Sequence, residues 1–173
     1  MADAPERQTK LTIDLKEQVQ LLRLVSTEAL SQHFSIILDL LAPLGEIDFL
    51  PHLGKPAAIN VLEDDQHQRY FNGLVTGAEF VGEIEARGFH YRIELRPAAY
   101  LHAHGSNFRI FQDKTTKDII ETVLHDCGIR ADFTQMSGST PSRPYCVQYG
   151  ESNFGFVSRL MEEEGLYYYY AHE

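Results

Sequence analysis

Toward the end of the chain, Glu162, Glu163 and Glu164 are followed, after Gly165 and Leu166, by Tyr167, Tyr168, Tyr169 and Tyr170. Clustered carboxylates can do acid/base chemistry, and a glycosidase needs two of them about 5–9.5 Å apart across a cleft. Neighbours on one helical turn point in widely different directions, so these three cannot oppose one another. Only Glu163, two positions from Met161, could lean toward the core side and work with a second carboxylate such as Glu151. Helix stability does not explain the run either. A helix C-terminus carries about half a negative charge, so acids there cost roughly 0.3–1 kcal/mol each. Arg159 offsets part of that through pairs with Glu162 or Glu163. Two readings remain open, contact with a partner's basic groups and a solvated face.

The tyrosines pose a related question. On a strand, Tyr167 and Tyr169 face one way, Tyr168 and Tyr170 the other. Rings on both faces ask to be sandwiched in a core or to lie at a subunit contact, where Tyr is enriched. Arg159, Glu162, Glu163, Glu164, Tyr167, Tyr168, Tyr169 and Tyr170 are therefore the candidate subunit-interface residues.

Other chemistry-bearing residues assemble less well. His102 and His104 have a spacing that could chelate from a strand edge, but a structural zinc wants four ligands, usually with closely spaced Cys pairs. Cys127 and Cys146 are the only cysteines, too few for a disulfide framework, and read as reduced thiols. His33, His52, His67, His90, His125 and His172 make no constellation. No G-x-S-x-G, P-loop or H-E-x-x-H motif is present, and the glycines of "LVTGAEFVGE" are wrongly spaced for a dinucleotide loop. The expectation is no catalytic residue, no metal and no cofactor.

Bulk properties narrow the class further. A net charge of −10 without a basic stripe argues against nucleic acid and against anionic membranes. No apolar run reaches the ~18–20 residues of a membrane helix, and the N-terminus lacks a signal-peptide core. With 43% hydrophobic and 23% charged residues over 173 positions, the chain suits one folded domain or two small ones.

The elements that would position these residues change character midway. "FSIILDL" places Phe34, Ile36, Leu38 and Leu40 on one face, and "FHYRIEL" alternates Phe89, Tyr91, Ile93 and Leu95 against His90, Arg92 and Glu94. "YFNGLVTGAEFV" and segments 19–26 and 57–63 are also strand-like, with "EARG" a turn ending at Gly88. This predicts a meander closing into a small barrel or sandwich, with "EIDFLPHLGKP" a short helical turn over one end. After Pro97 the period becomes helical: Ile119, Ile120, Val123, Leu124 and Cys127 share a stripe, Thr115 and Asp118 form a capping box, and Gly128 stops the helix. Residues 137–144 read as a loop and "YCVQY" as a brief strand. A second helix is capped by Ser152, turns Phe154, Val157, Leu160 and Met161 inward and stops at Gly165, after which "LYYYY" reads as strand. The fold class is α+β, mainly β: an antiparallel β-barrel-like domain followed by an α+β region.

Longer stretches carry a resemblance. "LGKPAAINV", "RYFNGLVTGAEF", "YRIELRPAAYL", "FRIFQDKTTKDIIETVL" and "YCVQYGESNFGFVSRLMEEEGLYYYYAHE" resemble the N-terminal part of the VgrG family, spike proteins of the bacterial type VI secretion system, which are similar to contractile phage tail baseplate hubs. The resemblance runs from about residue 18 to 173. Residues 1–17, which begin with the polar stretch "MADAPERQTK", read as a flexible N-terminus, and the resemblance implies a β-barrel-like hub domain over 18–103 and a truncated α+β hub region over 104–173. It also implies a structural role in a homotrimeric hub, without enzymatic activity. The partners would be an Hcp tube ring and baseplate components, with a PAAR-type tip protein and effectors reached through regions absent here. Assembly would occur in the bacterial cytoplasm, followed by export without a signal peptide. A prophage tail hub is the alternative object of the same kind, and a cell-wall glycosidase the enzymatic one. Gly150 and Gly155 depart from the family pattern, which often has Arg and Asp there, and "AAYLHAH" replaces a stretch that commonly carries Trp.

Overall fold

The period-2 segments fold as strands because each can bury one face. In a computed structural model, which describes residues 9–15, 18–43, 46–62 and 68–172, six of them form one antiparallel sheet. These are β1 (Thr9–Ile13), β2 (Gln20–Thr27), β3 (Ser35–Ala42), β4 (Pro56–Leu62), β5 (Gln68–Ile84) and β6 (Gly88–Arg96). Residues 1–8 and His67 lie outside the described residues. Thr9–Ile13, inside the stretch expected to be flexible, pairs with β4.

The strand order is β1-β4-β5-β6-β3-β2, which corrects the expected simple meander. β4, β5 and β6 do follow one another, but β3 pairs with β6 and β1 with β4. The sheet curls into a half-barrel around Phe34, Ile36, Leu38, Leu40, Tyr91, Ile93 and Leu95, the residues that the alternation assigned to the core, with Phe89 half-buried beside them. The segment after β3 contributes Ile47 and Phe49 to that core, and a 3₁₀ turn follows at Leu50–His52. Tyr91 keeps its hydroxyl satisfied by accepting from the Ile47 amide at 2.9 Å. At the β5–β6 turn, Gly88 has φ +121° and the Ala42–Pro43 backbone so close that no side chain fits.

The chain divides into two compact units. This sheet unit takes the described residues of Met1–Ala29, His33–Pro97 and Tyr170–Glu173, and a helical unit takes Leu30–Gln32 and Ala98–Tyr169. The helical unit contains a short helix α1 (Ala98–Leu101), strand β7 (Asn107–Thr115), helix α2 (Thr116–Asp126), strand β8 (Ser142–Glu151) and helix α3 (Asn153–Glu163). β7 and β8 form an antiparallel ribbon. One of its faces packs on the helices, where Phe111 stacks on Phe156 with centroids 5.8 Å apart. Ile119, Ile120, Val123 and Leu124 of α2 and Phe154, Phe156, Val157 and Leu160 of α3 are buried. Cys127 and Met161 are only half-buried.

Both helix starts follow the sequence. Thr115 and Asp118 form the reciprocal capping box, and Ser152 accepts from the Gly155 amide. Gly128 and Gly165 end the helices with φ +69° and +67°. Two expectations need correction. β7 was not foreseen, and it shortens the loop by pairing with a β8 that begins at Ser142. The tyrosine run forms no ladder with another strand among the described residues, so it is not a strand.

Candidate assembly surfaces

Each acid of the Glu162–Glu164 run meets a different environment. Glu164 accepts from Arg143 Nη2 at 2.7 Å and from the Thr116 hydroxyl at 2.8 Å. Thr116 is the first residue of α2, so the carboxylate closing α3 sits where that helix's positive end favours an anion. Glu163 bridges Arg143 Nη1 at 2.6 Å and Arg159 Nη1 at 2.8 Å. Arg159 Nη2 reaches Glu151 at 2.7 Å. Hydrogen bonds from Arg143, then from Arg159, hold Glu163 below the usual carboxylate range; those from Arg143 and Thr116 do the same for Glu164. The hydrogen bonds that Arg159 donates to Glu151 and Glu163 push its guanidinium pKa upward. Glu162 is exposed.

This network accounts for most of the acidic run: it fastens β8 to α3 and α2. It also bears on the glycosidase reading. Arg159 lies between Glu151 and Glu163, and Glu163 is held ionised, whereas a general acid needs a raised pKa. Sequence reasoning foresaw the Arg159–Glu163 pair but missed Arg143, because it placed that residue in a loop.

The tyrosines alternate in burial although no ladder holds them. Tyr167 and Tyr169 are 68% and 56% exposed, while Tyr168 and Tyr170 are half-buried. Tyr168 packs edge-on against Phe154, and its carbonyl accepts from the Ser31 amide at 2.9 Å. Tyr169 donates to Gln135 at 3.2 Å. Tyr170 belongs to the sheet unit, where its hydroxyl is 2.6 Å from His33 Nδ1 and its ring stands edge-on to Phe34. His172 follows, its ring between Phe34 and Phe71 and its Nδ1 accepting from the Asn72 amide at 3.1 Å. Burial, aided by Arg96 for His33, lowers the pKa of both imidazoles. The histidines that made no constellation in sequence thus hold the last residues onto the sheet unit.

The remaining histidine pair does not converge. His104 Nδ1 is 3.0 Å from the Tyr100 carbonyl, and its ring is 5.0 Å from the Tyr100 ring. Among the described residues no group of three or more His, Cys, Asp or Glu could hold a metal ion. Cys146 is buried and Cys127 half-buried, both as free thiols.

A further surface was not foreseen. On β7 and β8 the usual pattern is inverted: Arg109 points inward, reaching Asp126 at 3.1 Å, while Phe108 and Ile110 point out. Phe108 and Tyr149 are register partners in edge-on contact, with Tyr145 further along the same face. Phe108, Ile110, Tyr145 and Tyr149 are 65%, 64%, 57% and 80% exposed. A contiguous apolar face of this kind marks an interaction surface. No helix among the described residues is long and apolar enough to cross a membrane.

Comparison with known proteins agrees with this architecture. Residues 27–173 match the phage tail baseplate hub (GPD) family. The type VI secretion system spike proteins VgrG1b and VgrG1c of Pseudomonas aeruginosa are 37% and 38% identical, each over 157 residues and 91% of this chain. VgrG3 of Vibrio cholerae is 31% identical over 140 residues, or 81% of the chain. The chain spans about a fifth of the length of the two Pseudomonas relatives, 21% and 22%. Among solved structures, the E. coli c3393 protein superposes with a TM-score of 0.72 at 24% identity, covering 89% of this chain and 43% of that one. That protein is described as a component of the type VI secretion system with structural similarity to the T4 bacteriophage tail proteins gp27 and gp5. With most of its length matched, the chain belongs to the phage tail baseplate hub family, among the type VI secretion spike proteins named VgrG.

Proposed function

We propose that the chain is a scaffolding segment of a type VI secretion spike, contributing to a trimeric hub that joins the Hcp tube to the puncturing needle and helps deliver effectors. Residues 18–103 would be the β-barrel-like hub domain and 104–173 part of the α+β region beside it. The role is mechanical, and no catalytic step is assigned to these residues. Assembly in the bacterial cytoplasm and export by the contracting machine follow from the same reading, as do contacts with baseplate components.

The observation that carries the reading is the outward apolar face of Phe108, Ile110, Tyr145 and Tyr149, which a protein working alone has no reason to expose. Of the candidate interface residues, Glu162, Glu163, Tyr167 and Tyr169 are exposed. Arg159, Glu163 and Glu164 would act there indirectly, by fixing the α3 joint. Light scattering tests the reading. The gene product at its native length is expected to be a trimer, and Phe108→Asp with Tyr149→Asp is expected to lower the assembled fraction at least tenfold. A native-length product that remains monomeric at every concentration rejects it.

A further inference from the structure

The chain has four asparagines, and only Asn72 is followed by glycine. An asparagine before glycine is chemically fragile. The glycine nitrogen has no side chain beside it and its backbone turns freely, so it can attack the side-chain amide carbon of the residue before it. The new carbon–nitrogen bond closes a cyclic succinimide as ammonia leaves. Water then opens the ring at either carbonyl and gives aspartate or its backbone-extended isomer, isoaspartate. The net change is amide plus water to carboxylate plus ammonium, with no other reactant.

Packing dictates the glycine of this pair. A Cβ on Gly73 would stand 3.0 Å from the Arg96 carbonyl and 3.2 Å from Leu95 Cβ and Phe34 Cε2. The asparagine serves the opposite need, a polar contact. β6 pairs with β5 from Leu74 onward, and beyond its end the Asn72 amide donates to His172 Nδ1 at 3.1 Å. Asn72 Oδ1 also stands 3.0 Å from that nitrogen, and a half-turn of the side-chain amide brings its NH2 to the same lone pair. The His172 ring is seated between Phe34 and Phe71, with centroids 4.7 and 5.9 Å away.

Different neighbours restrain the two reacting atoms. Amides along an antiparallel strand face alternate sides. With the Asn72 N–H turned to His172, the Gly73 N–H faces β4, where Ala57 is its register partner. That ladder ends one step further on, at Pro56 opposite Leu74, and ladder ends open most readily. The nucleophilic nitrogen is thus held loosely. The side-chain carbon it would attack is held by His172.

We propose that Asn72 is a deamidation site gated by His172: the amide persists while the imidazole holds it, and release of the Tyr170–His172 segment lets the Gly73 nitrogen attack. The product changes the site that guarded it. A carboxylate at position 72 has no NH2 to present, so it faces Nδ1 with oxygen alone and draws a proton onto the ring. That opposes the burial that lowers the His172 pKa. Glu28, 3.8 Å from Nε2, acts in the same sense as the new carboxylate, and Arg69, bonded to Glu28, acts against it. Isoaspartate instead lengthens the backbone and puts β5 out of step with β4.

Peptide-mapping mass spectrometry of the gene product at native length, kept in warm, mildly alkaline buffer, reads conversion at each asparagine. The parent is expected to keep Asn72 at least about tenfold longer than a synthetic peptide of residues 69–76, which has no fold to restrain it. His172→Phe keeps a ring between Phe34 and Phe71 but accepts no hydrogen bond. It is expected to speed conversion at Asn72 about tenfold, the scale on which one or two lost hydrogen bonds shift a local opening. His172→Ala, which removes the ring as well, is expected to exceed it. Conversion at Asn60, Asn107 and Asn153 should stay as in the parent, and so should hydrogen exchange in β3 and β6. Asn72→Asp, which installs one product directly, is expected to raise the His172 pKa in an NMR titration of the ring. Equal lifetimes of Asn72 in the parent and both His172 variants overturn the gate, as does a parent that converts as fast as the peptide. Acceleration spread over all four asparagines, or joined by lost protection in β3 and β6, overturns it too, because it marks global opening. A His172 titration unmoved by Asn72→Asp overturns the link from product to guard.

Discussion

In the sheet unit the apolar residues of β3 and β6 face a common core, and the last residues of the chain close over it with Tyr170 and His172. The helical unit packs only one side of its ribbon. Phe111 stacks on Phe156 of α3 and Cys146 is buried, while Phe108, Ile110, Tyr145 and Tyr149 are left outside. The fastening differs accordingly. Ion pairs of the sheet unit, such as Arg92–Asp39, join strands already paired in the ladder, whereas in the helical unit an ionic joint of Arg143, Arg159, Glu151, Glu163 and Glu164 around Thr116 ties helices to a strand. A two-stranded ribbon is marginal by itself, so its helices and its salt links must supply what neighbouring strands supply elsewhere. The sheet unit thus closes its main core within itself, whereas the helical unit leaves one face of its ribbon bare.

The sharpest way to break that comparison is to empty the smaller core. Phe156 is fully buried and stacked on Phe111, so Phe156→Ala is expected to cost about 3–5 kcal/mol. If the units are separately stabilised, hydrogen exchange will show α2, α3, β7 and β8 losing protection while β3 and β6 keep theirs. Equal loss of protection in both units would show a single cooperative structure.

The contrast also explains what the sequence disclosed. Strands β3 and β6 were legible because their alternation matches the side that is buried, and both long helices because their caps are local chemistry at fixed spacing. β7 was hidden because its inward residues include Asn107 and Arg109 and its outward ones Phe108 and Ile110, the reverse of the usual rule. The ionic joint was half legible. Arg159–Glu163 follows from helical spacing, whereas Arg143 reaches Glu164 across 21 positions, a distance no local pattern encodes. The same holds for the pair of Arg92 with Asp39, which meets across β6 and β3 only once the register is known.

Removing the ionic joint is the next largest perturbation. The Arg143 side chain is 24% exposed and that of Glu164 17%. Arg143→Met strips partners from Glu163, Glu164 and Thr116, with an expected loss of roughly 1–3 kcal/mol. The effect should be specific to the helical unit and should survive moderate salt, as partly buried pairs are screened weakly. A chemical-denaturation midpoint unchanged from the parent would show that the joint is only a solvated contact.

Acidification should act on the two units over different pH ranges. Folded-state pKa values of His33 and His172 are lowered, so below the ordinary histidine value of about 6.5 the unfolded chain takes up protons that the folded one resists. Their contribution is present at higher pH and is lost as pH falls through the lowered values. Glu163 and Glu164, also lowered, keep their contribution to a more acidic range, below the usual carboxylate pKa. Release of the Tyr170–His172 segment, read from the His172 ring resonances and from exchange at Asn72, is therefore expected before the α3 joint fails. His172→Phe should remove the first step and leave the second.

The smallest effects compare two glycines. A Cβ on Gly73 of β5 would stand 3.0 Å from the Arg96 carbonyl and 3.2 Å from both Leu95 Cβ and Phe34 Cε2, backbone and core atoms with little room to yield. Gly73→Ala is expected to destabilise by about 1 kcal/mol through overpacking. A Cβ on Gly155, at the start of α3, meets only the Ser152 hydroxyl, at 2.8 Å. That group can shift a few tenths of an ångström and still cap the helix, and replacing a helical glycine by alanine gains up to ~1 kcal/mol. Gly155→Ala should then stabilise by some tenths of a kcal/mol, the net of that gain and a weakened Ser152 bond. Opposite signs in thermal melts would show that the sheet unit is packed to its limit at this corner while the α3 start retains slack. Two losses of equal size would mean that the Ser152 cap is as tightly held as the β5 corner.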